Sequence, residues 1–135
     1  MLFRSSIPPN IEVVFKQGDI IKYVRHPKEH QEGLGVFDMV YSIGIADYLP
    51  DKLLINMVKF MRSLLKDNGI LVLAFKIKDK DPFAPLPPKW FCEWLFVPRS
   101  LNHAQELLAE AGAKVDNVDW ESHGRIAFLT SVKRI

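Results

Sequence analysis

An uninterrupted apolar run, Ile70-Leu71-Val72-Leu73-Ala74-Phe75, constrains this chain more than any other feature. It is strand-sized, and without alternating polar residues it suits a strand covered on both faces, as in parallel sheets. Ahead of it, Leu54, Met57, Val58, Met61, Leu64 and Leu65 recur at helical spacing and form one apolar stripe. Pro50-Asp51 opens that helix. Proline gives up no hydrogen bond at the first helical position, and the aspartate complements the positive end of the dipole. Asn68-Gly69 is expected to stop it, one of the two taking the left-handed capping conformation. Earlier still, Phe37–Ser42 is a second strand candidate. Strand, helix and strand in succession make a βαβ unit, for which a right-handed crossover is the rule.

On either side the pattern is shorter. Ile11–Phe15 is β-branched and aromatic and reads as a strand, closed by the turn chemistry of Gly18-Asp19. Ile20–Val24 has room for one helical turn, and His26–Gly35, polar with a proline and two glycines, reads as a surface loop. Lys76–Pro98 is rich in proline and aromatic residues. Ser100 then caps a helix carrying Leu101, Ala104, Leu107, Leu108 and Ala111, which Gly112 ends. Lys114–Trp120 and Ile126–Val132 read as closing strands, and the short Ser122-His123-Gly124 connection makes them antiparallel neighbours.

A chain of 135 residues, 48% hydrophobic and 25% charged, supports one compact core. Its net charge of +2 comes from 18 basic and 16 acidic residues with the signs interspersed. No basic block marks a nucleic-acid surface. The apolar runs are too short for a membrane span, and Met1–Asn10 lacks the apolar stretch of a signal peptide. A lone cysteine, Cys92, excludes an internal disulfide framework, and a cytoplasmic location is expected. His26, His30, His103 and His123 lie in separate elements without a recognisable ligand spacing, so no metal site is expected. Cys92 has no clear basic partner that would make it a nucleophile.

The order of elements resembles the closing half of the class I S-adenosylmethionine (SAM)-dependent methyltransferase fold, and particular residues carry the resemblance. Phe37-Asp38-Met39-Val40-Tyr41-Ser42 is similar to that family's fourth strand. Leu64–Leu71, with Asp67-Asn68-Gly69 where the family usually has Pro-Gly-Gly, is similar to its turn into the fifth. Glu110-Ala111-Gly112 resembles the end of its last helix, although Ala113 departs from the usual aromatic residue. Tyr41–Asp51 is similar to a segment of methyltransferases related to the hydroxy-fatty-acid methyl ester synthases, as is Trp94 followed by Arg99-Ser100. The resemblance implies an α/β fold with an incomplete Rossmann-like sheet (strands 3, 4, 5, 7 and 6 of the family) and a closing antiparallel hairpin. Residues 1–135 would form a partial domain. The glycine-rich first βαβ unit, whose bare backbone admits the cofactor, has no counterpart here, since Gly33-Leu34-Gly35 is too short and follows no strand.

By the same resemblance, Asp19 and Ile20 face the adenine of SAM, and Ser42, Ile43 and Gly44 line the cofactor beyond the carboxyl end of a strand. Asp19 is otherwise a turn aspartate, and Gly44 otherwise part of an ordinary strand-to-helix turn. Asp47 faces the substrate or caps the following helix, and Tyr48 is read as a packing residue. Trp90, Phe91, Trp94 and Phe96 either wall an acceptor pocket or pack on the sheet. Arg99 either binds a carboxylate bidentately or is a charge beside the Ser100 cap.

Two functions are expected. One is the carboxyl-terminal portion of a SAM-dependent methyltransferase acting on a small-molecule or lipid-like acceptor. No catalytic residue is named for it, and activity of the isolated chain is expected to be weak or absent. The other is a non-catalytic or partner-dependent module of the same ancestry, forming a homo-oligomer through an exposed sheet edge.

Overall fold

The computed structural model describes residues 8–80 and 96–135. In chain order the elements are α1 (Ile20–Arg25), α2 (Pro27–Leu34), β1 (Phe37–Ser42), a 3-10 turn (Ala46–Tyr48), α3 (Asp51–Ser63), β2 (Leu65–Lys76), α4 (Leu101–Glu110), β3 (Asn117–Trp120) and β4 (Ile126–Val132). The strands form one open sheet in the order β1-β2-β4-β3. β1 and β2 are parallel, whereas β4 runs antiparallel to both β2 and β3. The α/β class, the partial Rossmann-like sheet and its closing hairpin therefore stand as expected.

Helices cover one face of this sheet. Leu71, Leu73, Phe75 and Ile77 of the β2 line, with Ala127 and Leu129 of β4, bury against Leu54, Met57, Val58 and Met61 of α3 and Ala104, Leu107 and Leu108 of α4. α3 is amphipathic as its sequence stripe requires, with Phe60 added to the buried set through its ring contact to Tyr23 of α1 at 5.9 Å. α4 begins where Ser100 Oγ accepts the His103 N–H at 3.2 Å. It ends with the Ala113 N–H reaching back to Leu108 O at 2.8 Å, a helix-ending bond that satisfies an otherwise orphaned carbonyl. Ala113 is completely buried, which gives its small side chain a reason at a position where the resemblance leads one to expect an aromatic residue.

Four expectations change. Ile11–Phe15 forms no strand: every residue of it is exposed and unladdered, so the sheet has four strands rather than five among the described residues. A β-branched run is a strand only where a neighbour accepts its backbone bonds. His26–Gly35 is not a loop, because α2 occupies Pro27–Leu34, with proline in its first turn and the Gln31 side chain donating to Ser63 O at 3.2 Å. Asn68-Gly69 does not stop α3, which ends at Ser63. Instead Asn68, at φ 61°, sits in a bulge within β2, where the register moves from Phe37↔Leu65 to Met39↔Ile70. Gly69 is needed there because a Cβ would stand 2.9 Å from Lys66 O and 3.2 Å from Asp38 O. Finally, the two faces of the Ile70–Phe75 run are buried unequally: Leu71, Leu73 and Phe75 are fully buried, whereas on the other face Ile70 and Val72 are half-buried and only Ala74 is buried.

Candidate functional site

β1 and β2 end side by side, Ser42 opposite Leu73, and the segments leaving their carboxyl ends build the site. Beyond Ser42 the chain reverses through Gly44, whose φ of 88° is costly for residues with a Cβ. It then enters the Ala46–Tyr48 turn before α3 begins. Ile43, Gly44, Asp47 and Tyr48 from this connection meet Ala74 and Lys76 of β2, Phe96 and Ile126 around a cavity of about 170 Å³. The Tyr48 and Phe96 rings pack edge to face with centroids 6.2 Å apart. Lys76 Nζ lies 6.0 Å from the Phe96 ring centre.

Asp47 is the titratable group most altered by its surroundings here. It is 8% exposed, and the Lys76 N–H donates to its two carboxylate oxygens at 3.2 and 3.3 Å. Burial pushes its carboxyl up to about 6, against the lowering effect of the Lys76 N–H and the charges of Arg99 and Lys76. Such a carboxyl exchanges its proton near neutral pH, as a buried acid or base at a binding site does. Its backbone is fixed as well, because the Val97 N–H donates to Asp47 O at 2.7 Å.

Arg99 holds the turn that presents Asp47. Its side chain is 1% exposed. Nη1 donates to Ala46 O at 2.9 Å, Nη2 donates to Leu49 O, and Nε and Nη2 grip Asp51 Oδ1 at 3.0 and 2.8 Å. The carboxylate that Arg99 binds thus belongs to its own chain, and the substrate-carboxylate role gives way to a structural one. Partial burial pushes the Asp51 carboxyl up, but its bonds and charges from Arg99 and His103 outweigh that and hold it below the usual range. His103 Nε2 lies 2.8 Å from Asp51 Oδ2, tying the start of α4 to the start of α3.

The expected site residues are therefore divided. Ile43, Gly44 and Asp47 converge on the cavity, whereas Asp19, Ile20, Ser42 and Arg99 are absent from its described lining. Asp19 is an exposed cap: its Oδ1 accepts the N–H groups of Ile21 and Lys22 at 2.9 and 3.4 Å. Ile20 packs half-buried against the core. Trp90, Phe91 and Trp94 lie outside the described residues. Lys76 and Ile126 are lining residues that sequence reasoning missed. Lys76 had a usable signal, as the first charged residue after the apolar strand, whereas Ile126 is placed only by the β2·β4 register that pairs it with Lys76. Among the described residues no group of three or more His, Cys, Asp or Glu side chains could hold a metal ion.

Solved structures place this geometry among methyltransferase folds. The chain is similar to mitomycin 7-O-methyltransferase, with a TM-score of 0.65 and 16% identity over 87% of this chain and 33% of that one. It is similar to an O-methyltransferase family protein from Burkholderia thailandensis, with a TM-score of 0.62 and 17% identity over 90% and 36%. A third is the magnesium protoporphyrin IX methyltransferase from Synechocystis, determined with bound SAH, with a TM-score of 0.56 and 17% identity over 73% and 46%. No protein-family model and no curated protein matches the chain. The fold is that of a class I methyltransferase in part, and the chain spans from a third to under half the length of these structures.

Among the described residues, those around this cavity do not enclose a whole SAM molecule. The cavity of about 170 Å³ is smaller than the roughly 300 Å³ at which small-molecule pockets begin. The Asp19 carboxylate is already engaged in capping α1. Among the described residues no helix is long and apolar enough to cross a membrane.

Proposed function

We propose that residues 1–135 are the carboxyl-terminal part of a SAM-dependent methyltransferase unit, with weak or no transfer activity as an isolated chain. One observation carries this reading. A glycine turn and a buried carboxylate, Gly44 and Asp47, stand at the carboxyl ends of adjacent parallel strands, where open α/β sheets bind ligands, beside a cavity too small for the cofactor. In such a unit Ile43 and Gly44 form one wall toward SAM, and Asp47, Tyr48 and Phe96 face the acceptor. Methyl transfer depends on holding acceptor and methyl group in line, and a partial site loses most of the contacts that hold them. The Tyr41–Asp51 segment supports kinship with the hydroxy-fatty-acid methyl ester synthase group and hence a small-molecule or lipid-like acceptor in the cytoplasm. Titration calorimetry with SAM tests the reading: little or no heat is expected from this chain, and tight binding overturns it.

A second reading, a partner-dependent module of the same ancestry, draws on a different observation. Among the described residues β1 is the last strand of the sheet, and its apolar side chains Phe37, Met39 and Tyr41 are exposed.

A further inference from the structure

We propose that Lys76 sets what the cavity accepts: its ammonium and the Asp47 carboxylate together select a small molecule with a neutral hydroxyl on an apolar ring, and turn away an amine. The inference rests on the methyltransferase-part reading, in which Asp47, Tyr48 and Phe96 face the acceptor, and it names the acceptor's chemistry. Lys76 serves the cavity twice. Its backbone N–H donates to both carboxylate oxygens of Asp47, at 3.2 and 3.3 Å. Its half-buried side chain carries Nζ to 6.0 Å from the Phe96 ring centre and acts on the Asp47 carboxyl through charge, not through a hydrogen bond. One positive and one negative group thus border the same space with no hydrogen bond between their side chains.

The two charges define the head of the ligand. Among the described residues the Asp47 oxygens share that single N–H, whereas an ionised carboxylate has about four acceptor sites. Asp47 is buried, so a further donor is favourable there. The Lys76 ammonium has donors only, and the same ligand head must therefore also accept. A hydroxyl does both. A protonated amine is drawn by Asp47 but repelled by Lys76, which leaves it the cost of taking a charge out of water. A carboxylate meets the mirror-image opposition from Asp47. The remaining lining suits an apolar body: the edge-to-face rings of Tyr48 and Phe96, with Ala74 and Ile126. The volume of about 170 Å³ suits a single ring, since an apolar cavity of about 150 Å³ holds benzene.

NMR titration of the whole chain with two isosteric probes, benzyl alcohol and benzylamine, tests the proposal. It is run at about pH 7.5, where the Asp47 carboxyl, held at about 6, is mostly ionised. The alcohol is expected to shift the Asp47, Lys76 and Ile126 amides with a dissociation constant of the order of a millimolar, and the amine to bind at least about tenfold more weakly. Lys76→Gln keeps a donor and the backbone N–H but drops the charge. It should hold the alcohol within about threefold and bring the amine up to it. Lys76→Met removes the donor as well, so it should weaken the alcohol while still admitting the amine. Equal binding of the two probes by wild type overturns the proposal, a comparison that needs no variant to fold. A preference for the alcohol that survives Lys76→Gln, or the absence of shifts at these amides, also overturns it. Because calorimetry with SAM reads a different property, a chain that binds neither probe and no SAM sinks this proposal and leaves the methyltransferase-part reading standing.

Discussion

The two faces of the sheet are made from the same strands yet differ in what covers them. On β2, Leu71, Leu73 and Phe75 point to α3 and α4 and are at most 1% exposed, whereas Ile70 and Val72, between and beside them, are only half-buried. β4 repeats the division, with Ala127, Leu129 and Ser131 buried and Phe128, Thr130 and Val132 half-buried. On β1 the contrast is widest, as the uncovered Tyr41 is 65% exposed. A strand's composition records what its sequence can bury, and which face is buried depends on the layers laid against it. Among the described residues, burial, and with it the free energy of folding, is therefore concentrated on the side that carries α3 and α4.

The largest expected effect comes from truncation on the two faces. Phe75→Ala, at a fully buried position, is expected to cost about 3–5 kcal/mol. Tyr41→Ala on the uncovered side is expected to cost under about 1 kcal/mol. Urea denaturation of both variants measures the difference, and equal losses would break the comparison by showing that something covers the second face.

Arg99→Leu comes next, at about 3 kcal/mol, because it leaves the Ala46 and Leu49 carbonyls and the Asp51 carboxylate without their shared donor. Arg99→Lys should rescue little, since a single ammonium cannot reproduce the planar fork. Full stability of the lysine variant would show that charge alone suffices.

Asp47 is expected to act in the opposite direction. Its carboxyl is held at about 6 against an ordinary 3.8, so the native state binds the proton more tightly than the unfolded chain. The stability this provides is fully present below about 4 and is lost as pH rises through about 6. Asp47→Asn removes the buried charge and should stabilise the fold by about 2 kcal/mol at pH 7.5, with little gain at pH 4. Melting curves at the two pH values check the sign. A residue whose replacement improves stability is one kept for another purpose, which is the expected mark of a ligand-facing group.

How much of this was legible depends on which signals are local. The α3 stripe, the Ser100 cap and the Ser122–Gly124 hairpin were readable because period, capping oxygen and turn length act within a few residues. α2 was hidden by Gly33 and Gly35, although its Gln31 bond to Ser63 and the Tyr23–His30 ring contact at 4.7 Å help fix it from outside the segment. Ile11–Phe15 failed for the converse reason: a good strand sequence is left exposed and without a ladder. At the site, the turn residues Ile43, Gly44 and Asp47 were found from their place after β1. Arg99 was misassigned because its partners lie 48 to 53 residues away in sequence, a separation that no spacing rule reaches.

The smallest effects grade the covered face itself, through the caps of two of its helices. Ser100 starts α4, whose Ala104, Leu107 and Leu108 are buried, and Ser100→Ala should cost about 1 kcal/mol. Asp19 starts α1, a six-residue helix with only Val24 buried, so Asp19→Ala should cost about 0.5 kcal/mol. Asp19→Asn separates the cap from the cofactor role that the resemblance assigns to the carboxylate. Asparagine caps as well as aspartate, so this variant should unfold at the same denaturant concentration as wild type. If Asn and Ala lose the same stability, the charge toward the helix dipole matters more than the capping bond. If Asn alone is neutral, the α1 cap needs the side-chain oxygen and not the charge.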